Sequence, residues 1–284
     1  MSSQPDPIMS VETLASRLDA PDIRVVDASY FLPGAGRDPK AEFFAARIPG
    51  AIFFDIDEIA DTTSPLPHMA PSSEKFASRM RKLGIGDGAT IVVYDSVGLF
   101  SAARVWWMFR MMGKEDVFIL DGGLPAWIAA GHATEDGPPL PRQERHFTAR
   151  QRTDIVRALP EMRRIVETGS ATILDARPAG RFAGVDPEPR AGLRGGHMPG
   201  ARNVPLSELV VDGRLKPADQ LRVIFDAAGV QSRMPVVTTC GSGITAAVIV
   251  LALARLGRWD ASLYDGSWAE WGLPGDTPVV TGAA

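Results

Sequence analysis

The chain has 284 residues, 45% of them hydrophobic and 23% charged, with a net charge of −4. This composition excludes wholesale disorder and gives enough chain for about two domains of roughly 150 residues each. The acidic balance excludes a general affinity for nucleic acid, which calls for a basic face, and one cysteine, Cys240, excludes an internal disulfide and a multi-cysteine zinc site.

In chain order, the N-terminus lacks the positive cluster and apolar stretch of a secretory signal. A β-branched run at residues 24–27 (Val25-Val26-Asp27-Ala28) predicts a strand, and the turn Arg47-Ile48-Pro49-Gly50-Ala51 follows it. A helix is expected over 73–83, a strand over 90–94, a helix over 101–112 and a strand over 117–121, after which Gly122-Gly123 leads to Trp127. Residues 135–153 are rich in Pro and Arg and show no periodic apolar face, which marks the connection between domains.

The second half then repeats the first. It has a strand at 172–175 (Ile173-Leu174-Asp175-Ala176), the turn His197-Met198-Pro199-Gly200-Ala201, a helix over 216–228 and a strand over 235–239. A helix over 244–256, a strand over 261–264 and Trp271 close it. Asp27 and Asp175 lie 148 positions apart, Pro49 and Pro199 150, and Trp127 and Trp271 144. Ordered motifs at a near-constant offset indicate a tandem duplication. Short strands alternating with helices predict α/β domains, each with a mainly parallel sheet flanked by helices. The expected boundaries are 8–137 for the first domain, 138–152 for the linker and 153–284 for the second domain. The longest apolar run, 244–254, is far short of the roughly 20 residues that cross a bilayer. A cytoplasmic protein without a membrane partner is therefore expected.

The chemical signal is the loop Cys240-Gly241-Ser242-Gly243-Ile244-Thr245 between a strand and an apolar helix that closes at Gly257. Open α/β sheets place their ligands at such strand ends. Gly241 and Gly243 let successive N–H groups converge on one sulfur, and the following helix turns its positive end toward the same point. Ser242 and Thr245 add hydroxyls. A lone cysteine is otherwise commonly a small buried hydrophobe, and Gly-rich loops of this kind also cradle phosphate. A cysteine-dependent phosphatase needs an arginine soon after its cysteine, and residues 241–248 contain no cation.

With these motifs in order, the chain resembles the tandem-domain rhodanese-like sulfurtransferases, and its Cys-Gly-Ser-Gly-Ile-Thr loop is similar to that of the 3-mercaptopyruvate branch. The resemblance spans nearly the whole chain, through residues 53–57 (FFDID), 64–69 (SPLPHM), Asp175-Ala176-Arg177, Gly180-Arg181-Phe182, 196–201 (GHMPGA) and 264–268 (YDGSW). It implies two rhodanese folds, of which only the second is catalytic, with the active site near their interface. Asp95 occupies the first-half position of Cys240.

The resemblance further implies sulfur transfer from 3-mercaptopyruvate through a Cys240 persulfide, with release of pyruvate and no cofactor or metal. Arg181 and Arg190 would clamp the donor carboxylate, since paired guanidinium donors match that geometry. Asp57, His68 and Ser242 would relay a proton. Gly241, Gly243, Ile244 and Thr245 would form the donor-binding loop. His197 reads as structural, and His132 and His146 as solvated. The first-half turn carries Arg47 where the family has a histidine. The sulfur acceptor must be an external thiol, thioredoxin or a small molecule, because no second cysteine exists. Thiosulfate-preferring members carry basic residues after the cysteine, whereas this loop is neutral. The alternatives are a thiosulfate sulfurtransferase and a non-catalytic rhodanese-like sensor or scaffold.

Overall fold

Each half of the chain folds around a five-stranded parallel sheet in the computed structural model, which describes residues 4–32 and 34–283. The first sheet contains β1 (Ile8–Met9), β2 (Ile23–Asp27), β3 (Ile52–Phe53), β4 (Thr90–Tyr94) and β5 (Val117–Leu120), in the order β1-β5-β4-β2-β3. The second half begins with β6 (Val156–Arg157), β7 (Thr172–Asp175) and β8 (Ala201–Asn203). A small antiparallel pair, β9 (Val210–Val211) and β10 (Arg214–Leu215), precedes β11 (Val236–Thr239) and β12 (Ser262–Tyr264). Its order, β6-β12-β11-β7-β8, is that of the first sheet. The duplication is therefore one of topology as well as sequence.

The central strand β4 is apolar along most of its length, β11 joins two valines to Thr238 and Thr239, and apart from Thr90 both are buried, as parallel strands covered on both faces must be. The edge strands β1, β3, β6 and β8 have two or three residues each. They are too short to carry a periodic signal, and only pairing with a neighbour defines them, as in Ile8 with Ile119. Expected helices shift by one or two residues at their ends. Pro217, in an extended conformation, caps the helix Ala218–Ala227, so it starts two residues later than the apolar pattern suggested.

Two equivalent helices join the halves. Every residue of Ala102–Met111 is buried, as is all of Ala246–Arg255 except Arg255. A helix that is apolar all round has no solvent face and has to lie inside the molecule. The two helices pack on each other, and Trp106, Trp107, Ile249 and Leu253 belong to one hydrophobic cluster that runs through both halves. Arg110 extends this contact by stacking over Trp259, 4.3 Å from its ring centre.

The Pro- and Arg-rich connection is strapped to the first half. Phe147 is buried, Thr148 donates to Asp87 from both its N–H and its hydroxyl, and the N–H groups of Arg150 and Arg152 donate to Met112 and Met111. His146 is exposed as expected. His132 departs from expectation, for it is half-buried against Trp127 at 4.5 Å, where the indole offers an apolar face. His197 stacks on Phe182 at 3.7 Å and bonds the Phe182 carbonyl, a structural role. Arg47 fills the matching first-half turn and bonds Gly137 and Glu135.

The repeat differs at the end of its second strand. Asp175 is paired with Arg177, whereas Asp27 has Ser29 in that place and no cation. Burial, with Asp95 nearby, pushes the Asp27 carboxyl up to about 6 against the hydrogen bonds from Ser29. The folded chain thus holds this proton more tightly than the unfolded one. The contribution of Asp27 to stability is complete below the unfolded value near 4 and is lost as pH rises through about 6. Asp27→Asn keeps the acceptor for Ser29 and removes the charge. It is expected to exceed the parent in stability by about 1–3 kcal/mol at pH 7.5, with the difference vanishing near pH 4. Urea unfolding at the two pH values measures this.

Candidate active site

Cys240 follows β11 directly and is 2% exposed. Its backbone is held from below. The Cys240 N–H donates to the Ser267 hydroxyl at 3.3 Å, the Cys240 carbonyl accepts from Trp268 at 2.9 Å, and the Gly241 carbonyl accepts from Ala269 at 2.8 Å. Gly243 has φ +79°, and a Cβ there would lie 3.0 Å from Arg104 Nη1. Only glycine fits both the conformation and the approach.

The first half shows what this type of loop binds. Asp95, at the position of Cys240, accepts the backbone N–H groups of Val97, Phe100, Ser101 and Ala102 at 2.7–3.1 Å. Burial still pushes the Asp95 carboxyl above the usual range. In the second half the N–H groups of Gly241, Ser242, Gly243 and Ile244 donate to no protein acceptor among the described residues. One loop is filled by its own carboxylate, and the other offers free donors beside a sulfur atom.

A cavity of about 290 Å³ opens over Cys240. Its wall includes Gly241, Ser242, Ile244, Thr245, Arg181 and Arg190 from the second half, with Leu32 and Phe100 from the first. Arg181 lies over Gly241, since a Cβ there would be 3.2 Å from its Nη2, and it is bonded to Glu188 at 2.5 Å. Arg190 Nη2 faces His68 Nε2 at 3.3 Å.

Asp57 and His68 reach this corner from the first half, behind Arg190 and outside the cavity wall. His68 Nδ1 is 2.8 Å from Asp57 Oδ1, and the Tyr30 hydroxyl is 3.1 Å from His68 Nε2. Donation from Nδ1 to the carboxylate makes Nε2 the acceptor. The hydrogen bond to His68 holds the Asp57 carboxyl below the usual range, with the nearby charge of Arg190 adding to it. Among the described residues Ser242 makes no hydrogen bond to His68. The structure therefore joins Asp57 to His68 and brings both near the arginine pair, but it leaves Ser242 apart from them.

The residues that assemble this corner were not foreseen. Arg104, wholly buried, lies 2.7 Å from Asp265, at ion-pair distance but out of line for a hydrogen bond. Arg104 Nη2 donates to the His68 carbonyl at 2.6 Å, and Nη1 reaches the Gly243 carbonyl at 3.5 Å. Asp265 accepts the Ala70 N–H at 2.7 Å. His68 itself has φ +60°, unfavourable for a side chain of its kind, and the Arg104 bond fastens it there. One signal was available: Arg104 is a charge in the first turn of a helix whose other residues, Arg110 apart, are apolar or aromatic. Tyr30 and Glu188 carried no such mark.

Asp265→Ala leaves Arg104 buried without its partner and is expected to cost about 3–5 kcal/mol. Replacing both, as Arg104→Met with Asp265→Leu, should restore much of that stability by urea unfolding while sulfur-transfer activity stays low. Full activity in the double variant would show that the pair does not position the site.

Comparison with known proteins matches the rhodanese-like domain family to residues 10–130 and 158–273. The chain is similar to the 3-mercaptopyruvate sulfurtransferase of Escherichia coli K12, at 45% identity over 95% of this chain and 96% of that protein. It is 39% identical to the human 3-mercaptopyruvate sulfurtransferase, over 93% and 91% of the two chains. The crystal structure of SseA from Escherichia coli superposes with a TM-score of 0.86 at 43% identity, covering 94% of this chain and all of that one.

Proposed function

Given that the chain belongs to the tandem rhodanese-like sulfurtransferases, we propose that it moves sulfur from 3-mercaptopyruvate to a thiol acceptor through a persulfide on Cys240. The observation that carries this reading is the set of loop N–H groups after Cys240 that have no protein acceptor among the described residues, beside a cavity that Cys240 lines with Arg181 and Arg190.

The two arginines take the donor carboxylate and set its sulfur against Sγ of Cys240. The thiolate attacks that sulfur, the carbon–sulfur bond breaks, and its electron pair leaves with carbon as the enolate of pyruvate. The enolate takes up one proton and the donor's thiol proton is given up, so the products are pyruvate and a persulfide anion. The loop N–H groups stabilise that anion as the first-half loop stabilises Asp95. Asp57, His68 and Ser242 serve as the relay for the proton. In the free protein His68 Nε2 is occupied by Tyr30 and Arg190. Capture of Arg190 by the donor carboxylate would leave Nε2 to the Tyr30 hydroxyl, and Ser242 has to approach for the relay to be complete.

An external thiolate then attacks the outer sulfur and returns Cys240 to its starting state. Thioredoxin or a small thiol fills this role, and cyanide substitutes in an assay. A reducing cytoplasmic setting suits such a cycle, and no helix among the described residues is long and apolar enough to cross a membrane. The neutral loop 241–245 favours a monoanionic donor over the dianion thiosulfate.

Intact-protein mass spectrometry after donor exposure should show the gain of one sulfur atom on Cys240, together with pyruvate release. Cys240→Ser should abolish both. Near-normal turnover in that variant, a clear preference for thiosulfate, or no sulfur gained from any donor would each overturn a stated part of the reading: the nucleophile, the donor and the enzymatic role respectively.

A further inference from the structure

We propose that Glu188 sets the donor charge this site accepts, by holding Arg181 in place while cancelling its charge. The inference rests on the preceding reading of the cavity as a donor site and deepens it.

Three cations and two carboxylates meet along one side of the cavity. Arg177 bonds Asp175 through Nε and Nη2, and both side chains are 1% exposed. Arg177 Nη1 also donates to Glu188 Oε1 at 2.8 Å. Glu188 Oε2 accepts from Arg181 Nε at 3.2 Å and Nη2 at 2.5 Å. Glu188 is itself 2% exposed, so solvent does little to screen it. Arg190 has no carboxylate partner among the described residues and faces the neutral-acceptor nitrogen of His68. The chain Asp175–Arg177–Glu188–Arg181 is therefore neutral, and Arg190 adds a positive charge that Asp57, behind His68, offsets in part.

Without the Glu188 charge, Arg177 and Arg181 would share the single carboxylate of Asp175, and the cavity wall would gain one positive charge, which favours a dianion such as thiosulfate over a monoanion. In a desolvated pocket that difference is expressed in binding. Glu188 also fixes direction. It engages one edge of the Arg181 guanidinium and so presents the rest toward the space over Gly241. Pro187 and Pro189 on either side restrict its backbone and lower the cost of holding it there. Glu188 is a positioning residue that acts through Arg181.

The test compares kcat and KM for 3-mercaptopyruvate and for thiosulfate in the full-length parent, Glu188→Gln and Glu188→Asp, with urea unfolding of each. Glu188→Gln should raise the ratio of kcat/KM for thiosulfate over mercaptopyruvate by about tenfold, chiefly through KM, as expected for removing one charge near the bound anion. Glu188→Asp keeps the charge and should hold that ratio within about twofold of the parent even if both activities fall. A folded Glu188→Gln with an unchanged ratio, or with equal loss on both donors, overturns the proposal. Should Glu188→Gln fail to fold, Glu188→Asp decides: it keeps the charge, and a ratio that departs more than about twofold from the parent's overturns the proposal. A parent that releases no pyruvate from mercaptopyruvate would instead sink the underlying function.

Discussion

The buried contact between Arg104 and Asp265 is the constraint on which the site depends. Arg104 comes from the first half and Asp265 from the second, and both are almost wholly removed from water. Two charges in that position are tolerated only if each is surrounded by partners. Those partners are the His68 carbonyl, the Gly243 carbonyl and the Ala70 N–H. One ion pair thus fixes the histidine segment of the first half against the cysteine loop of the second. The apolar helices Ala102–Met111 and Ala246–Arg255 supply the burial that makes this fixation rigid.

Duplication explains how such an interface becomes an active site. Both halves end the fourth strand of their sheet in a loop at this position. In the first half the loop N–H groups converge on the Asp95 carboxylate, which satisfies the donors and closes the loop chemically. In the second half the matching place holds the Cys240 thiol, and the N–H groups of residues 241–244 have no protein acceptor among the described residues. The first half contributes Arg104, His68, Tyr30 and part of the cavity wall.

The buried charges of the second half follow from the same economy. Asp175, Arg177, Glu188 and Arg181 form a continuous chain in which every charge has an opposite neighbour. The first half, lacking Arg177, leaves Asp27 to be neutralised by a proton instead. A buried carboxylate must find a cation, backbone donors or a proton, and at this position the second half uses a cation and the first a proton.

The order of strands and helices, the duplication and the importance of Cys240 were legible in the sequence because they are local. Period, turn residues and the Cys-Gly-Ser-Gly loop all lie within a few positions of one another. Arg104, early in a helix whose one other charge is Arg110, could also be noticed, but its partner Asp265 lies far along the chain, and no local pattern links them. The same holds for Glu188 and for Tyr30 beside His68. The two-residue edge strands escaped notice because pairing across the sheet alone defines them. The sequence by itself determined the fold type and singled out Cys240 as the candidate nucleophile. Tertiary structure decided what surrounds its sulfur, because the charge and hydrogen bonding of a buried group depend on neighbours brought from distant segments.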